Sequence, residues 1–336
     1  MNATMKALVY EGPRIMNIKS LQVPSPGEDE VLIKVKKVGI CGSELSGYLG
    51  HNSLRKAPLV MGHEFSGTIE ELGSKVSSFQ VHNHVTVNPL ISCMKCNRCI
   101  TGKAHLCSSR QLLGAQVPGA FAEYVCVPER NVYVLPSDVS LDIGALTEPL
   151  ACAVHVCRLA NITGVDTVLI IGAGPIGLFL LQSAKILGSS NIIMMDINKE
   201  RLQIAEKLGA STVSSVEELR GVIPKNGVDI AIDAVGYDVT RNQCVEFLKT
   251  SGKVIFTGLH ESRASLPINE IIRKEINMQG AFAYTPEDFE IALQWLIERK
   301  VELLPGTVYL PIEEGQAAFE SLIENAGNVT KVLLTL

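Results

Sequence analysis

Four cysteines, Cys93, Cys96, Cys99 and Cys107, follow the spacing C-x2-C-x2-C-x7-C in a chain of 336 residues. The two-residue gaps let successive sulfurs turn toward one centre. Four thiolates form the closed tetrahedral shell of a structural zinc, with no position left for chemistry. Lys95, Arg98, Lys103 and His105 surround the cluster and offset its negative charge. A cysteine-rich loop without metal is the competing reading. Cys126, Cys152, Cys157 and Cys244 stand alone in apolar or helical stretches and are expected to be buried hydrophobes.

A second group is built for phosphate. The stretch VLIIGAGPIG sets Gly172, Gly174 and Gly177 directly after an apolar run, with Pro175 and Ile176 opening a helix. Gly172 allows the tight turn, Gly174 lets the backbone approach a pyrophosphate, and Gly177 lets helix and strand pack closely. The helix N-terminus supplies free N–H groups and positive dipole. Asp196 closes the next apolar run, NIIMMD, nineteen residues past Gly177. A carboxylate there accepts hydrogen bonds from ribose hydroxyls and repels a 2′-phosphate, so NAD is expected rather than NADP. Arg201 either covers the adenine or ribose or is a solvated helix-face residue.

Cys41 in GICGSE and His63 in GHEFSG are ligand types that zinc accepts. Neither carries weight alone. Beside a nicotinamide site they gain it, because an alcohol that gives up hydride must first be polarised.

These residues need elements to hold them. Residues 6–90 read as short strands separated by turns such as PSPGEDE, and AFAEYVCVP and NVYVLP continue this β-rich, barrel-like material to about residue 136. VHNHV at 81–85 reads as a hairpin turn, with Asn83 tolerating positive φ. The period then changes. LTEPLACAVHVCRLAN is a helix with Thr147 as its expected N-cap and Pro149 in the first turn, which makes Glu148 a first-turn carboxylate. Beyond it, short apolar strands alternate with helices, the pattern of a parallel doubly wound sheet of about six strands. A helix at 286–299 and a final strand, VTKVLLTL, complete the chain. Hydrophobic residues make up 46% and charged residues 19%, enough for a buried core. Net charge is −5 with no basic run, which disfavours nucleic acid and anionic membrane as partners. The start, MNATMKALVY, lacks a secretory pattern, and glycines interrupt the longest apolar stretches. A cytoplasmic protein is the expectation, and in that reducing compartment clustered thiols point to metal.

From MKALVYEGP to the C-terminus the sequence resembles the zinc-dependent medium-chain alcohol dehydrogenases. GICGSE, GHEFSG, the four-cysteine lobe, ALTEPLACAVH and GAGPIG stand in that family's order and spacing. The resemblance implies an α/β fold: a GroES-like β-rich catalytic domain (1–150 and 287–336) and a Rossmann domain (151–286) that binds NAD. Substrate is expected in the cleft between the two. It also implies a catalytic zinc on Cys41 and His63, with Glu64 and Glu148 competing for the third protein position. The family's usual set is two cysteines and a histidine. Glu148 stands where the second cysteine would be, as in the polyol (sorbitol-type) and threonine dehydrogenase branches. His63 and Glu64 could both reach the metal only if the backbone left extended geometry, which Gly62 permits. Ser43 matches the hydroxyl that takes the alcohol's proton. His51 lies where some relatives carry a relay histidine and is otherwise an exposed loop residue. Glu44 replaces the more usual aspartate.

The implied reaction moves hydride from a secondary alcohol of a polyol or vicinal diol to NAD, giving a ketone. L-threonine 3-dehydrogenase and butanediol dehydrogenase are alternatives, because Ala283 precedes Tyr284 where sorbitol-type enzymes resemble one another in an arginine. A non-enzymatic relative is the remote alternative. A homodimer or homotetramer pairing the strand near 277–284 is implied as well.

Overall fold

Alternating burial makes strands of the N-terminal part of the chain in the computed structural model, which describes residues 3–336. In chain order these are β1 (Thr4–Gly12), β2 (Ile15–Gln22), β3 (Glu30–Gly39), the short helix α1 (Gly42–Tyr48), β4 (Leu59–Val60), β5 (Glu64–Leu72) and β6 (His84–Val87). They continue through β7 (Leu90–Ile91), α2 (Asn97–Ile100), β8 (Gln111–Leu112), β9 (Tyr124–Pro128) and β10 (Val132–Val134). Helix α3 (Leu141–Ala160) leads into the alternating part: β11 (Thr167–Ile171), α4 (Pro175–Ile186), β12 (Asn191–Met195), α5 (Lys199–Lys207), β13 (Ser211–Val213) and α6 (Val216–Val222). Then come β14 (Val228–Asp233), α7 (Asp238–Glu246), β15 (Leu248–Phe256), α8 (Ile268–Lys274) and β16 (Asn277–Gly280). The chain closes with α9 (Pro286–Ile297), β17 (Thr307–Pro311), α10 (Gly315–Glu324) and β18 (Lys331–Thr335).

One compact unit comprises the chain through Glu148, Thr285–Ile297 and Gly306–Leu336; the other comprises Pro149–Tyr284 and Glu298–Pro305. In the first, among the described residues, seven strands pair in the order β10-β6-β5-β3-β18-β17, with β9 also on β3. Val31, Ile33, Val35, Phe65, Ile69, Val85, Val125 and Leu334 fill its interior. Burial of each large apolar side chain there stabilises the fold by roughly 1.5–3 kcal/mol. The register of β3 matters most for function. At its end Gly39 lies opposite Glu64 of β5 on one side and Leu333 of β18 on the other.

The second unit is a six-stranded sheet, again among the described residues, in the order β13-β12-β11-β14-β15-β16. Every pairing in it is parallel. β11, β12 and β14 are apolar nearly throughout, the composition of strands whose two faces are both covered, whereas the edge strand β16 is exposed. The sequence pattern anticipated this parallel sheet.

Four details differ from the sequence reading. Helix α3 begins at Leu141, so Thr147, Glu148 and Pro149 lie inside it rather than in its first turn. Hydroxyls from neighbouring strands fix the earlier start: Ser66 Oγ donates to Leu141 O (2.5 Å) and Thr86 Oγ1 to Gly144 O (2.7 Å). In the turn between β5 and β6, His82 takes the positive φ (72°), not Asn83, whose side-chain oxygen accepts from Gln80 N–H instead. Cys126 and Cys152 are half-buried, whereas Cys157 and Cys244 are buried as expected. Glu298–Pro305 joins the second unit, because Gln182 on α4 binds both the N–H and the C=O of Glu302. Among the described residues α3 is the one helix long and apolar enough to cross a membrane, and 78% of its apolar window is buried inside the protein.

Candidate active site and metal centres

The four-sulfur site is local. Cys96 caps α2, which carries Cys99, and Cys107 follows a single 3-10 turn at 104–106. The Cys96–Cys99 and Cys93–Cys107 sulfur pairs are 3.5 Å apart, and Cys93–Cys99 is 3.9 Å. A tetrahedron with zinc–sulfur bonds of about 2.3 Å has edges of about 3.8 Å, so the donor set fits zinc. Backbone N–H groups of Lys95 and Cys96 hold the Cys93 thiol down to about 6. The Cys99 amide lowers Cys96 in the same way, whereas burial pushes Cys99 up to about 11. Arg98 is spent on the fold, donating to Leu106 O (2.9 Å).

The second cluster is assembled from afar. Cys41 sits at the N-cap of α1, and His63 and Glu64 at the entry to β5. One ligand atom from each lies within 4.8 Å of the others. Gly62 has φ +96°. That turn takes His63 out of the strand's alternation, so adjacent residues face one point. A thiolate, an imidazole and a carboxylate suit zinc and leave a fourth position open. Glu148 is buried on α3, and the carboxylate in the group that closes within 4.8 Å is that of Glu64.

Glu44 is fully buried and organises the cluster. Its carboxylate accepts from Cys41 N–H (3.0 Å), Gly62 N–H (2.8 Å) and His63 Nδ1 (2.8 Å). A proton held on Nδ1 leaves Nε2 for a metal. Burial opposes ionisation of Glu44, but the His63 ring, the Arg55 charge and the Cys41 amide prevail and keep its carboxyl below the usual range. The sequence treats Glu44 as a variant without consequence; its signal was the capping-box spacing, three residues after Cys41.

Lys331 was also missed. It is 3% exposed, forms an ion pair with Glu64 and donates to Ile40 O (2.9 Å). Burial works against its charge, yet Glu64 and Cys41 hold its pKa above the ordinary value. Gly39 makes room for the pair, since a Cβ there would lie 2.8 Å from Lys331 Cε. Ser43 is half-buried, with Oγ 3.4 Å from Cys41 Sγ. His51 follows α1 as an exposed residue, its N–H on Ser46 O (2.9 Å).

In the other unit the glycine loop has its expected form. Gly172 takes φ +108°, Gly174 caps α4 with Pro175 following, and a Cβ on Gly177 would overlap the Gly172 carbonyl. Ile176 continues the first turn. Asp196 accepts from Ala173 N–H (2.6 Å) and Asn198 N–H (2.8 Å), so its carboxylate is fixed against the loop. The Arg201 guanidinium reaches the same loop, 3.9 Å from where a Gly174 Cβ would lie.

Residues 27–137 match the alcohol dehydrogenase GroES-like domain, and residues 175–298 match the zinc-binding dehydrogenase domain. The D-xylulose reductase A of Aspergillus niger is 34% identical, with 99% of this chain and 97% of the relative aligned. The L-idonate 5-dehydrogenase of Vitis vinifera is 32% identical over 97% of this chain and 93% of that protein. Among solved structures, an alcohol dehydrogenase of Escherichia coli CFT073 complexed with NADH superposes with a TM-score of 0.92 at 29% identity, covering 99% of this chain and 100% of that one. With both parts of the sequence matched and relatives aligned almost end to end, this chain belongs to the zinc-dependent medium-chain alcohol dehydrogenases, in the branch of the polyol and threonine dehydrogenases.

Proposed function

We propose that the protein oxidises a secondary alcohol of a polyol or vicinal diol to a ketone with NAD, using a catalytic zinc held by Cys41, His63 and Glu64. The observation that carries this is the convergence of those three residues beside Ser43. A zinc held there would supply Lewis acidity toward an alcohol oxygen, and a bound NAD would supply the hydride acceptor. Glu44 keeps His63 in the ligating tautomer, Ser43 takes the alcohol's proton and His51 passes it to solvent. Glu148 assists exchange of water for alcohol. Gly172, Gly174, Pro175, Ile176 and Gly177 receive the cofactor's pyrophosphate, and Asp196 and Arg201 its adenosine half. Cys93, Cys96, Cys99 and Cys107 hold a structural zinc.

The relatives named for D-xylulose and L-idonate support a polyhydroxylated substrate over a simple alcohol. The enzyme works in the cytoplasm as a homodimer or homotetramer. β16 suits the pairing, being an exposed edge strand. A screen of sorbitol, 2,3-butanediol and L-threonine with NAD, read as NADH absorbance, tests the substrate class. Metal analysis of the same protein should give two zincs per chain. Turnover of L-threonine alone moves the enzyme to the threonine class, and no turnover with one zinc per chain removes the catalytic reading.

A further inference from the structure

Arg55, on the segment between α1 and β4, is 5% exposed. Among the described residues both hydrogen bonds of its guanidinium end on Ser43. Nη1 donates to Ser43 O (3.1 Å) and Nη2 to Ser43 Oγ (3.1 Å). Nε is buried without a hydrogen-bond partner. The chain makes room for this arrangement at Gly47, where a Cβ would come within 2.5 Å of Arg55 Cδ. A buried arginine is costly unless paired with a carboxylate at close range. Here the charges of Glu44 and Arg55 act on each other through the field alone. A cation retained at that cost, with both of its bonds on one serine, points to the serine.

We propose that Arg55 is a positioning residue for proton transfer. It clamps Ser43 by backbone and hydroxyl together and fixes the side-chain rotamer from which Oγ receives the alcohol's proton. The inference rests on the reading of Ser43 as that acceptor. A serine hydroxyl has one hydrogen and two lone pairs, and a guanidinium can only donate. Arg55 therefore occupies one lone pair in a fixed direction. The hydroxyl hydrogen has Cys41 Sγ within reach at 3.4 Å. One lone pair is then left for the incoming proton, and as it arrives the hydroxyl releases its own hydrogen toward His51 and solvent, so Ser43 stays neutral. Without the clamp, Ser43 would sample three staggered rotamers, only one of them productive. Lysine keeps the charge but cannot span both acceptors, because the planar fork is what reaches them together.

The test uses the full-length, zinc-loaded enzyme and whichever of sorbitol, 2,3-butanediol or L-threonine turns over. Arg55→Lys, Arg55→Met, Ser43→Ala and the two Arg55 changes on the Ser43→Ala background are compared, with melting temperature and zinc content measured first. Arg55→Lys should lower kcat about tenfold with KM within twofold of the parent. On the Ser43→Ala background the same change should cost less than twofold, because there is no hydroxyl left to position. Equal losses in both backgrounds, or an Arg55→Lys enzyme that matches the parent, overturn the proposal. So does failure of both Arg55 variants to fold, which would make Arg55 a residue of the fold alone. A Ser43→Ala enzyme with normal kcat instead removes the reading of Ser43, and the proposal with it.

Discussion

The two metal centres solve opposite problems. The four-sulfur lobe draws its ligands from one fifteen-residue stretch, and backbone amides serve its thiols. The catalytic cluster joins residues 41, 63 and 64, then surrounds them with the side chains of Glu44, Arg55 and Lys331. A closed shell can be stapled locally because it only has to hold metal. A shell with a vacancy must control charge and orientation around the opening, so it recruits partners from wherever the fold brings them. The difference teaches that stability sites can be read from spacing, whereas reactive sites depend on what faces the ligands.

The comparison is broken most directly at Cys41. Cys41→Ser should leave one zinc per chain and reduce turnover about a thousandfold or more, since several kcal/mol of charge stabilisation are lost with the metal. Elemental analysis together with NADH production checks both effects. Its counterpart, Cys96→Ser, should also leave one zinc per chain but act on stability. The melting temperature falls because metal-binding free energy in such a lobe is folding free energy, while kcat of the surviving folded protein stays near the parent value. A mutant that keeps two zincs would contradict the ligand assignment.

Glu44→Gln sharpens the contrast, since nothing in the sulfur lobe resembles this residue. Losing the charge opposite His63 should weaken zinc at the catalytic site about 10–100-fold, read by chelator competition, with the structural zinc unaffected. Glu148→Gln keeps size and hydrogen bonding. With Glu148 in the interior of α3, a helix-dipole role is removed, and the expected outcome is near-normal stability with turnover at least about tenfold lower. Wild-type turnover at saturating alcohol and NAD would leave Glu64 to complete the site alone. The smallest effect belongs to Lys331→Met. Removing a buried cation that competes with zinc for Glu64 should slow zinc release to a chelator by a few-fold, and unchanged or faster release would show that the ion pair does not compete.

The sequence by itself marked the four-cysteine spacing, Cys41 and His63 with the third position open between Glu64 and Glu148, the glycine loop with Asp196, and the change from strand-rich to alternating structure. Each of these is written in spacings of a few residues, where the geometry of one turn or one strand fixes what side chains can do together. Only the tertiary structure decided the rest. It started α3 at Leu141, because Ser66 and Thr86 hold its first carbonyls. It brought a Glu64 carboxylate oxygen within 4.8 Å of the Cys41 and His63 donor atoms and made Glu44 the hydrogen-bond partner of His63. Lys331 meets Ile40 across 291 positions of sequence because β18 pairs with β3 in one register, with Gly39 leaving space beside Glu64. A lysine at the start of a terminal strand carries no local mark of that role. Sheet register, which sums pairing and packing over the whole unit, is what placed its charge beside the metal ligands.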